Sequence, residues 1–332
     1  MSGIGKQLHV PGWFSVLALA LVGAFMFSLT AGSLPLSIGE IWAVLSGQPS
    51  SPTAAAVILE IRLPRTLLAA LVGASLGAAG SGFQAVLRNP LADPYVLGVS
   101  GGAALGAVSV IVLGVRSGPA VAVAAFFGAI AALVVVYLVA RAHRGSSHTL
   151  ILCGVMVGSF ASALLLFLLW LTPAESVRTA IFWLAGDLSS TDPEWMPAAA
   201  IWSAVALACL WSQSSALDLL TQGEETAADL GLSVGRARLT VLASAGALTA
   251  SAVALAGLVG FVGLVVPHVV RLLWGPVHQR LVPAAALLGA AFLITADALA
   301  RVVLAPAEMP VGVVTALLGA PFFLYLLRRQ GA

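Results

Sequence analysis

Long apolar runs separated by short polar breaks dominate this sequence. Each run holds roughly the 20 apolar residues that a helix needs to cross a bilayer. The pattern predicts an all-α polytopic membrane protein, with residues 1–332 as one transmembrane domain and no soluble domain beyond the loops. The ten predicted spans cover residues 12–31, 62–84, 95–114, 119–140, 149–171, 196–211, 239–256, 258–274, 281–302 and 311–327.

The positions of the arginines predict which helix ends face the cytoplasm. An even number of spans puts both termini on one side, and the polar breaks on that side carry most of the cationic residues. By the positive-inside rule this side is the cytoplasm. The predicted cytoplasmic set is Lys6, Arg88, Arg141, Arg144, Arg236, Arg238, Arg271, Arg280, Arg328 and Arg329. The predicted outer set is Arg62, Arg65, Arg116, Arg178, Arg301, Glu40, Glu60, Glu175, Asp187, Asp192 and Glu194.

Composition narrows the classes of protein that fit. Hydrophobic residues make up 60% of the chain and charged residues 8%, whereas about a quarter of an ordinary soluble domain is charged. Lys6 is the only lysine, so the sequence lacks a GxxxxGK[ST] phosphate loop and any ATP-driven work needs another subunit. Cys153 and Cys209 lie in apolar runs, and His268 and His278 lack partners at metal-ligand spacing. The sequence therefore indicates no metal site, no cofactor and no enzyme active site.

One long mixed-charge stretch, residues 218–238, interrupts the apolar pattern. Gly223 precedes Glu224 and Glu225, whose carboxylates complement the positive end of a helix dipole, and Gly231 can adopt the left-handed conformation that ends a helix. These signals predict a helix of about two turns, which is marginal in water without a partner. Its alanines and leucines provide apolar surface, so we interpret the stretch as a docking element. A solvated loop between two spans is the alternative.

Charged residues at the predicted outer ends of two spans form a second candidate site. Arg62 and Arg65 lie three residues apart at the start of a helix, so both can grip carboxylates from one face. Arg301 leaves the membrane on the same side, and Asp297, four residues earlier, is placed to orient it. Interfacial anchoring by snorkelling is the alternative for these arginines.

Two breaks on the predicted cytoplasmic side indicate irregular backbone. The sequence RNPLADP at residues 88–94 has prolines four residues apart, and such backbone is tolerated at membrane depth where it lines a cavity or is buried in protein. The short polar loop at residues 145–148 has a similar character. We interpret both breaks as a gate or pathway wall, with a plain turn as the alternative.

Small residues recur at helical spacing and predict close helix packing in lipid. The repeated glycines are Gly73 and Gly77, then Gly98, Gly102 and Gly106, then Gly154 and Gly158. Large side chains in and after the fifth span could instead face a transport pathway, although core packing is the favoured interpretation. These side chains are Met156, Phe160, Trp170 and Trp183.

Four motifs together resemble the FecCD/BtuC-type permease subunits of binding-protein-dependent ABC importers for ferric siderophores, haem and vitamin B12. They are EIRLPRTLLAALVGASLGAAG, NPLADPYVLGVSGGAALG, GFVGLVVPHVVRLL and DALARVVLAPAEMPVGVVTALLGAPFF. The resemblance covers about residues 34–328. It implies the type II ABC importer permease fold with about ten transmembrane helices, located in the inner membrane.

The resemblance also implies roles for matching residues. Arg62, Arg65 and Arg301 match the outer arginines that receive acidic residues of a periplasmic substrate-binding protein. Segment 213–238 matches the cytoplasmic loop whose helices enter a cleft of the ATPase subunit, which implicates Asp218, Gly223, Glu224, Glu225, Ala228, Leu230 and Gly231. Asn89, Leu91, Ser147 and His148 match the cytoplasmic gate, although the vitamin B12 branch is expected to have a small hydroxyl at position 148.

The predicted function is ATP-driven import of a metal chelate by alternating access at a homodimer interface. The expected partners are a pair of ABC ATPase subunits, a periplasmic binding protein, a second copy of the chain and the lipid bilayer, with no nucleic acid. An ion-coupled secondary transporter is the alternative, but it needs an ionisable relay within the membrane, and the spans offer chiefly Asp297.

Overall fold

The computed structural model describes residues 12–32, 34–48, 51–115, 117–142, 146–189 and 195–330. In these residues the chain forms fifteen α-helices, one π-helical segment and one 3₁₀ turn, with no β-strand. Some charged residues used above to predict the topology lie outside the described residues. They are Lys6, Arg116, Arg144, Asp192 and Glu194.

Each of the ten predicted spans coincides with a helix, which confirms the helical prediction. The ten are α1 (Trp13–Thr30), α4 (Leu63–Val86), α5 (Val99–Val112), α6 (Gly118–Ala142), α7 (Ser147–Trp170), α9 (Met196–Ser212), α12 (Val234–Ala256), α13 (Val262–Trp274), α14 (His278–Val302) and α15 (Val311–Gln330). By length and apolar character, five of the described helices could cross a membrane, namely α1, α6, α7, α12 and α14. Helices α5 and α13 are apolar but shorter.

The remaining elements lie between the long helices. They are α2 (Ile38–Leu45), α3 (Pro52–Ala56), the π-helical segment Val57–Arg62, the 3₁₀ turn Pro94–Leu97, α8 (Ala174–Leu184), α10 (Ser214–Thr221) and α11 (Glu224–Asp229). Helix α10 follows α9 after a bend of 54°, and the pair is a sixth candidate span. Helix α2 begins with a capping box, in which the hydroxyl of Ser37 accepts from the amide of Glu40 and the carboxylate of Glu40 accepts from the amide of Ser37.

Helices α4 and α14 pack together at the centre of the bundle, and their contact is the most extensive in the structure. A Cβ atom added at Gly73 would lie 2.2 Å from the carbonyl oxygen of Gly289, and one added at Gly77 would lie 2.2 Å from that of Ala285. Only glycine permits this approach of the two backbones. The small-residue prediction is therefore confirmed for the first glycine pair.

Helix α5 and the 3₁₀ turn before it meet their neighbours in the same way. A Cβ atom at Gly102 would lie 2.3 Å from the carbonyl oxygen of Gly128 on α6, and one at Gly154 on α7 would lie 2.3 Å from that of Val96. The bundle therefore has two halves of close backbone packing, α4 with α14 and α5 with α6 and α7. Helix α12 contacts α4, α5 and α6 and joins the two halves.

Helix α7 presents a broad apolar face to the surroundings of the single chain. Met156 is 63% exposed, Phe160 is 70% exposed and Trp170 is 80% exposed. The favoured interpretation of core packing is wrong for these three residues, because in the part of the chain that the structure describes they stay exposed on the side of α7 away from α5 and α6. Trp183 on α8 is half-buried.

Candidate functional sites at the two ends of the bundle

Buried charges form a cluster where α4 begins and α14 ends. The carboxylate of Asp297 is fully buried and accepts from Nε of Arg65 at 2.9 Å and 3.2 Å. It also lies 3.2 Å from Nε of Arg301, one helical turn further along α14. Nη1 of Arg65 donates to Glu308 at 2.7 Å. We call Arg62, Arg65, Asp297, Arg301 and Glu308 the arginine cluster.

Two arginines of the cluster bind the end of α1. The last carbonyl groups of a helix have no partner within the helix. Nη1 of Arg62 donates to the carbonyl of Leu29 at 2.6 Å, and Arg301 donates to the carbonyl of Ser28 at 3.1 Å and to its hydroxyl at 2.7 Å. These charged donors satisfy the carbonyl groups and tie α1 to α4 and α14. The snorkelling alternative is wrong for these residues because their guanidinium groups contact protein.

The structure brings all three predicted docking arginines together, but it places them inside the protein. Arg62 is 4% exposed, Arg65 is 8% exposed and Arg301 is 6% exposed. Glu308, which pairs with Arg65, has a side chain that is 48% exposed. The cluster therefore reaches solvent through Glu308, and docking of a binding protein at the arginines stays a prediction.

Segment 213–238 forms two short helices at the other end of α14. Gly223, with φ of 118°, separates α10 from α11, and Gly231, with φ of 87°, follows the end of α11. The predicted helix and both of its glycine boundaries are confirmed, so the segment is more than an irregular loop. The carboxylate of Glu224 forms an ion pair with Arg238 on α12.

One face of α11 is open to a partner. Ala227 is fully buried, whereas Glu225, Ala228 and Leu230 are exposed, Leu230 to 64%. The helix is therefore held against the bundle from one side only. An exposed leucine beside an exposed carboxylate gives the open face both apolar and charged surface.

Asp218 on α10 turns towards the bundle and clamps the start of α14. Its Oδ1 accepts from the backbone amide of His278 at 3.0 Å and lies 2.6 Å from the ring Nδ1 of the same residue. Nearby, Nε1 of Trp211 donates to the carbonyl of Gln279 at 3.0 Å. Because an α-helix rises about 1.5 Å per residue, His278 at the start of α14 lies about 29 Å from Asp297 and about 35 Å from Arg301 along the helix axis. A single helix thus connects the two candidate sites.

The break before α5 is a fixed turn. Oδ1 of Asn89 accepts from the amide of Leu91 at 2.9 Å, and the hydroxyl of Ser147 on α7 donates to the carbonyl of Val86 at 2.9 Å. Ser147 is buried, whereas Leu91 and His148 are exposed. The structure brings Ser147 to the end of α4 next to the break, while the neighbouring His148 is exposed. The assignment of these four residues to a gate stays a prediction.

A large cavity lies between α5, α6, α8, α9 and α12. Its volume is about 1040 Å³, and its lining includes Phe126, Trp183 and Trp202 with the carboxylates of Glu175 and Asp187. Among the described residues, no group of three His, Cys, Asp or Glu side chains could hold a metal ion. The cavity therefore offers aromatic surface and two acidic groups.

Comparison with known proteins gives this architecture a family. The sequence model of the FecCD transport family matches residues 19–329. The chain belongs to the FecCD transport family. This result confirms the resemblance inferred from the four motifs.

Named relatives of the FecCD chain align over nearly its whole length. An uncharacterized ABC transporter permease protein YvrB from Bacillus subtilis is 39% identical, covering 96% of this chain and 92% of that protein. The cobalamin import system permease protein BtuC from Halobacterium salinarum is 43% identical, covering 90% and 81%. The vitamin B12 import system permease protein BtuC from Escherichia coli is 38% identical, covering 96% and 95%.

A solved structure assigned to the metal-chelate type of ABC transporters, in an inward-facing conformation, is similar to this chain. The TM-score is 0.87 at 33% identity, covering 96% of this chain and 99% of the other. The predicted fold class, an ABC importer permease fold of transmembrane helices, is confirmed. The FecCD chain is thus a multi-pass membrane permease.

Sequence reasoning missed two partners in these sites. Glu308 lies in the loop before α15, 243 residues from Arg65, and His278 lies 60 residues from Asp218. No local pattern could have paired them. The only signal was the charge itself, since an acidic residue near a span end needs a counter-charge.

Proposed function

We propose that this chain is the permease subunit of an ATP-driven ABC importer that moves a metal chelate from the periplasm to the cytoplasm. The observation that carries the proposal is the match to the FecCD family across residues 19–329, in a chain that lacks a phosphate loop. Two relatives are named as cobalamin or vitamin B12 permeases, so cobalamin is the first cargo to test. Ferric siderophores and haem are the other chelates of this class.

The proposed ATPase contact is segment 213–238, comprising α10, α11 and their flanks. Helix α11 exposes Glu225, Ala228 and Leu230 on a surface that a cleft in the ATPase could cover. Movement of this segment would be transmitted to α14 through the contact between Asp218 and His278. ATP binding and hydrolysis in the partner would then open the pathway alternately to each side of the membrane. The proposed cytoplasmic gate consists of Asn89, Leu91, Ser147 and His148. Both termini of the chain are proposed to lie in the cytoplasm.

We also propose that two copies of the chain form the transport pathway between them. One copy has one coupling segment, so a pair of ATPases needs a two-fold arrangement of permeases. The exposed apolar face of α7, with Met156, Phe160 and Trp170, supports such an interface. Cysteines at Phe160 should cross-link in the membrane if α7 lies at the axis, and purely monomeric products would oppose this arrangement.

Docking of a periplasmic binding protein is proposed at the arginine cluster, with an exchange of carboxylates. In the free chain Nη1 of Arg65 donates to the carboxylate of Glu308, and the side chain of Glu308 is half-exposed. An acidic side chain of the binding protein could take its place without an arginine being uncovered first. Arg62 and Arg301 would hold the surrounding backbone in position and receive further acidic groups.

The secondary-transporter alternative is less well supported by the geometry. A proton or ion relay needs a carboxylate that can change its charge or partner during transport. Asp297 instead contacts both Arg65 and Arg301 and is fully buried.

Uptake into proteoliposomes tests the proposal. The permease is reconstituted with its ATPase, the binding protein is added outside, and cobalamin, haem and a ferric siderophore are offered in parallel. Accumulation of one cargo that requires ATP and both partners is expected. The variant Ala228→Pro should abolish it because proline interrupts α11, whereas Ala228→Ser should not. Uptake driven by an ion gradient without ATP would overturn the proposal.

A further inference from the structure

A second cavity lies between the end of α6 and the beginnings of α7 and α12, next to the proposed ATPase contact. Its volume is about 410 Å³. Three arginines line it, Arg141 from α6 and Arg236 and Arg238 from α12, together with Tyr137. Of the described residues that line it, none is acidic. The cavity is therefore a concentrated positive site.

The backbone adds to this positive potential. The first turn of α12 has no acidic residue, and Ser233, which precedes it, makes no side-chain cap. The N-terminus of a helix carries a partial positive charge and amide groups that can donate to an anion. Gly235 of this turn lines the cavity. An anion in the cavity would thus meet guanidinium groups and a helix N-terminus at once.

The three arginines are not equivalent. Arg238 is 8% exposed and already pairs with Glu224 of α11. Arg141 and Arg236 are exposed at the rim. An incoming anion would therefore gain most from Arg141 and Arg236, because the charge of Arg238 is already compensated by Glu224.

Apolar surface continues directly from the cavity. Leu239, which lines it, is 45% exposed, and Leu138 on α6 is 57% exposed. A soluble anion gains no contact with the exposed apolar side chains beside the cavity, whereas a phospholipid can pack its acyl chains against them. Basic pockets between transmembrane helices at the membrane boundary suit anionic headgroups.

We propose that this cavity binds the phosphate headgroup of an anionic phospholipid, with Arg141 and Arg236 as the principal contacts. The acyl chains would lie along the exposed leucines of α6 and α12. The proposal rests on the membrane location of the chain and not on its cargo or on ATP.

Binding of lipids to the full-length protein tests the proposal. Phosphatidylglycerol or phosphatidylcholine would be titrated into protein purified in detergent, and native mass spectrometry would measure the fraction of protein with bound lipid. Tighter binding of phosphatidylglycerol is expected, and the double variant Arg141→Gln, Arg236→Gln should weaken it by about fivefold per arginine. Arg280→Gln is the matched control, because Arg280 is an exposed arginine that does not line the cavity. Equal loss in this control would reduce the effect to general surface charge and overturn the site.

A second variant separates binding from folding. A Cβ atom at Gly235 would meet no atom within 4 Å, so Gly235→Asp fits without a clash. An acidic residue in the first turn should stabilise α12 while repelling a phosphate in the cavity. Weaker phosphatidylglycerol binding at an unchanged or higher melting temperature is expected, with Gly235→Asn close to the wild type. Unaltered lipid binding in Gly235→Asp would refute the proposal.

Two further measurements test whether the cavity binds free phosphate or a partner protein instead of a lipid. Millimolar inorganic phosphate should not displace phosphatidylglycerol, and efficient displacement would show that the site takes free phosphate. Arg236 belongs to segment 213–238, so ATPase binding is measured with the single variant Arg141→Gln, whose residue lies on α6 outside that segment, and this variant should still bind the ATPase subunit. Loss of ATPase binding with unchanged lipid binding in Arg141→Gln would show instead that the cavity faces the partner protein.

Discussion

Removing Glu308 should strengthen the binding of an acidic partner at the arginine cluster. Glu308 holds Nη1 of Arg65 at 2.7 Å, and its side chain is 48% exposed. In the variant Glu308→Ala the guanidinium group keeps Asp297 but loses its second carboxylate. A binding protein that supplies a carboxylate then meets no competitor, and one repulsive charge is gone as well.

The structure sets the size of this effect. A half-exposed ion pair contributes about 0.2–1 kcal/mol, because water screens the charges and two long side chains must be ordered. Its removal should therefore tighten binding by about 1.4- to 5-fold at low salt. The gain should shrink as salt rises, since the contact is electrostatic.

Binding of the purified binding protein to the permease in nanodiscs would be measured by surface plasmon resonance. Glu60→Ala is the matched control, because Glu60 is an exposed acidic residue in the π-helical segment that leads into α4. The control should change the affinity less than Glu308→Ala does. Weaker binding in Glu308→Ala would refute the exchange of carboxylates, and equal gains in both variants would point to net charge alone.

Two other variants test the contact between Asp218 and His278 and the close packing of α4 against α14. Asp218→Ala removes both contacts to His278, which should cost about 1–3 kcal/mol because the backbone amide and the ring of His278 lose their acceptor. The amount of cargo transported per ATP hydrolysed should fall in this variant. The control Asp229→Ala changes an exposed aspartate and should leave this ratio unchanged. Equal coupling in the two variants would contradict a role for the clamp. Gly289→Ala places a methyl group 2.2 Å from the carbonyl oxygen of Gly73, so a loss of about 1–3 kcal/mol and a lower melting temperature are expected. An unchanged melting temperature would oppose the close packing of α4 and α14.

Hydropathy determined the helical architecture because the bilayer imposes the same demand on every span. Each must satisfy its backbone internally, and the long spans present apolar side chains over about 20 residues, so the hydropathy pattern reveals them. Local signals also sufficed for α11, since Gly223, Glu224 and Gly231 act on their own backbone. The family followed from motifs that are contiguous in sequence.

Tertiary structure alone decided which charges meet and which faces are covered. Arg65 and Asp297 lie 232 residues apart and pair only because α4 and α14 approach through Gly73 and Gly289. The same packing buries arginines that the sequence suggested as exposed docking residues. It also leaves the aromatic face of α7 uncovered, although the amino acids there are as apolar as those of the core. Hydrophobicity specifies that a helix enters the membrane, whereas the rotation of each helix against its neighbours specifies what each side chain touches.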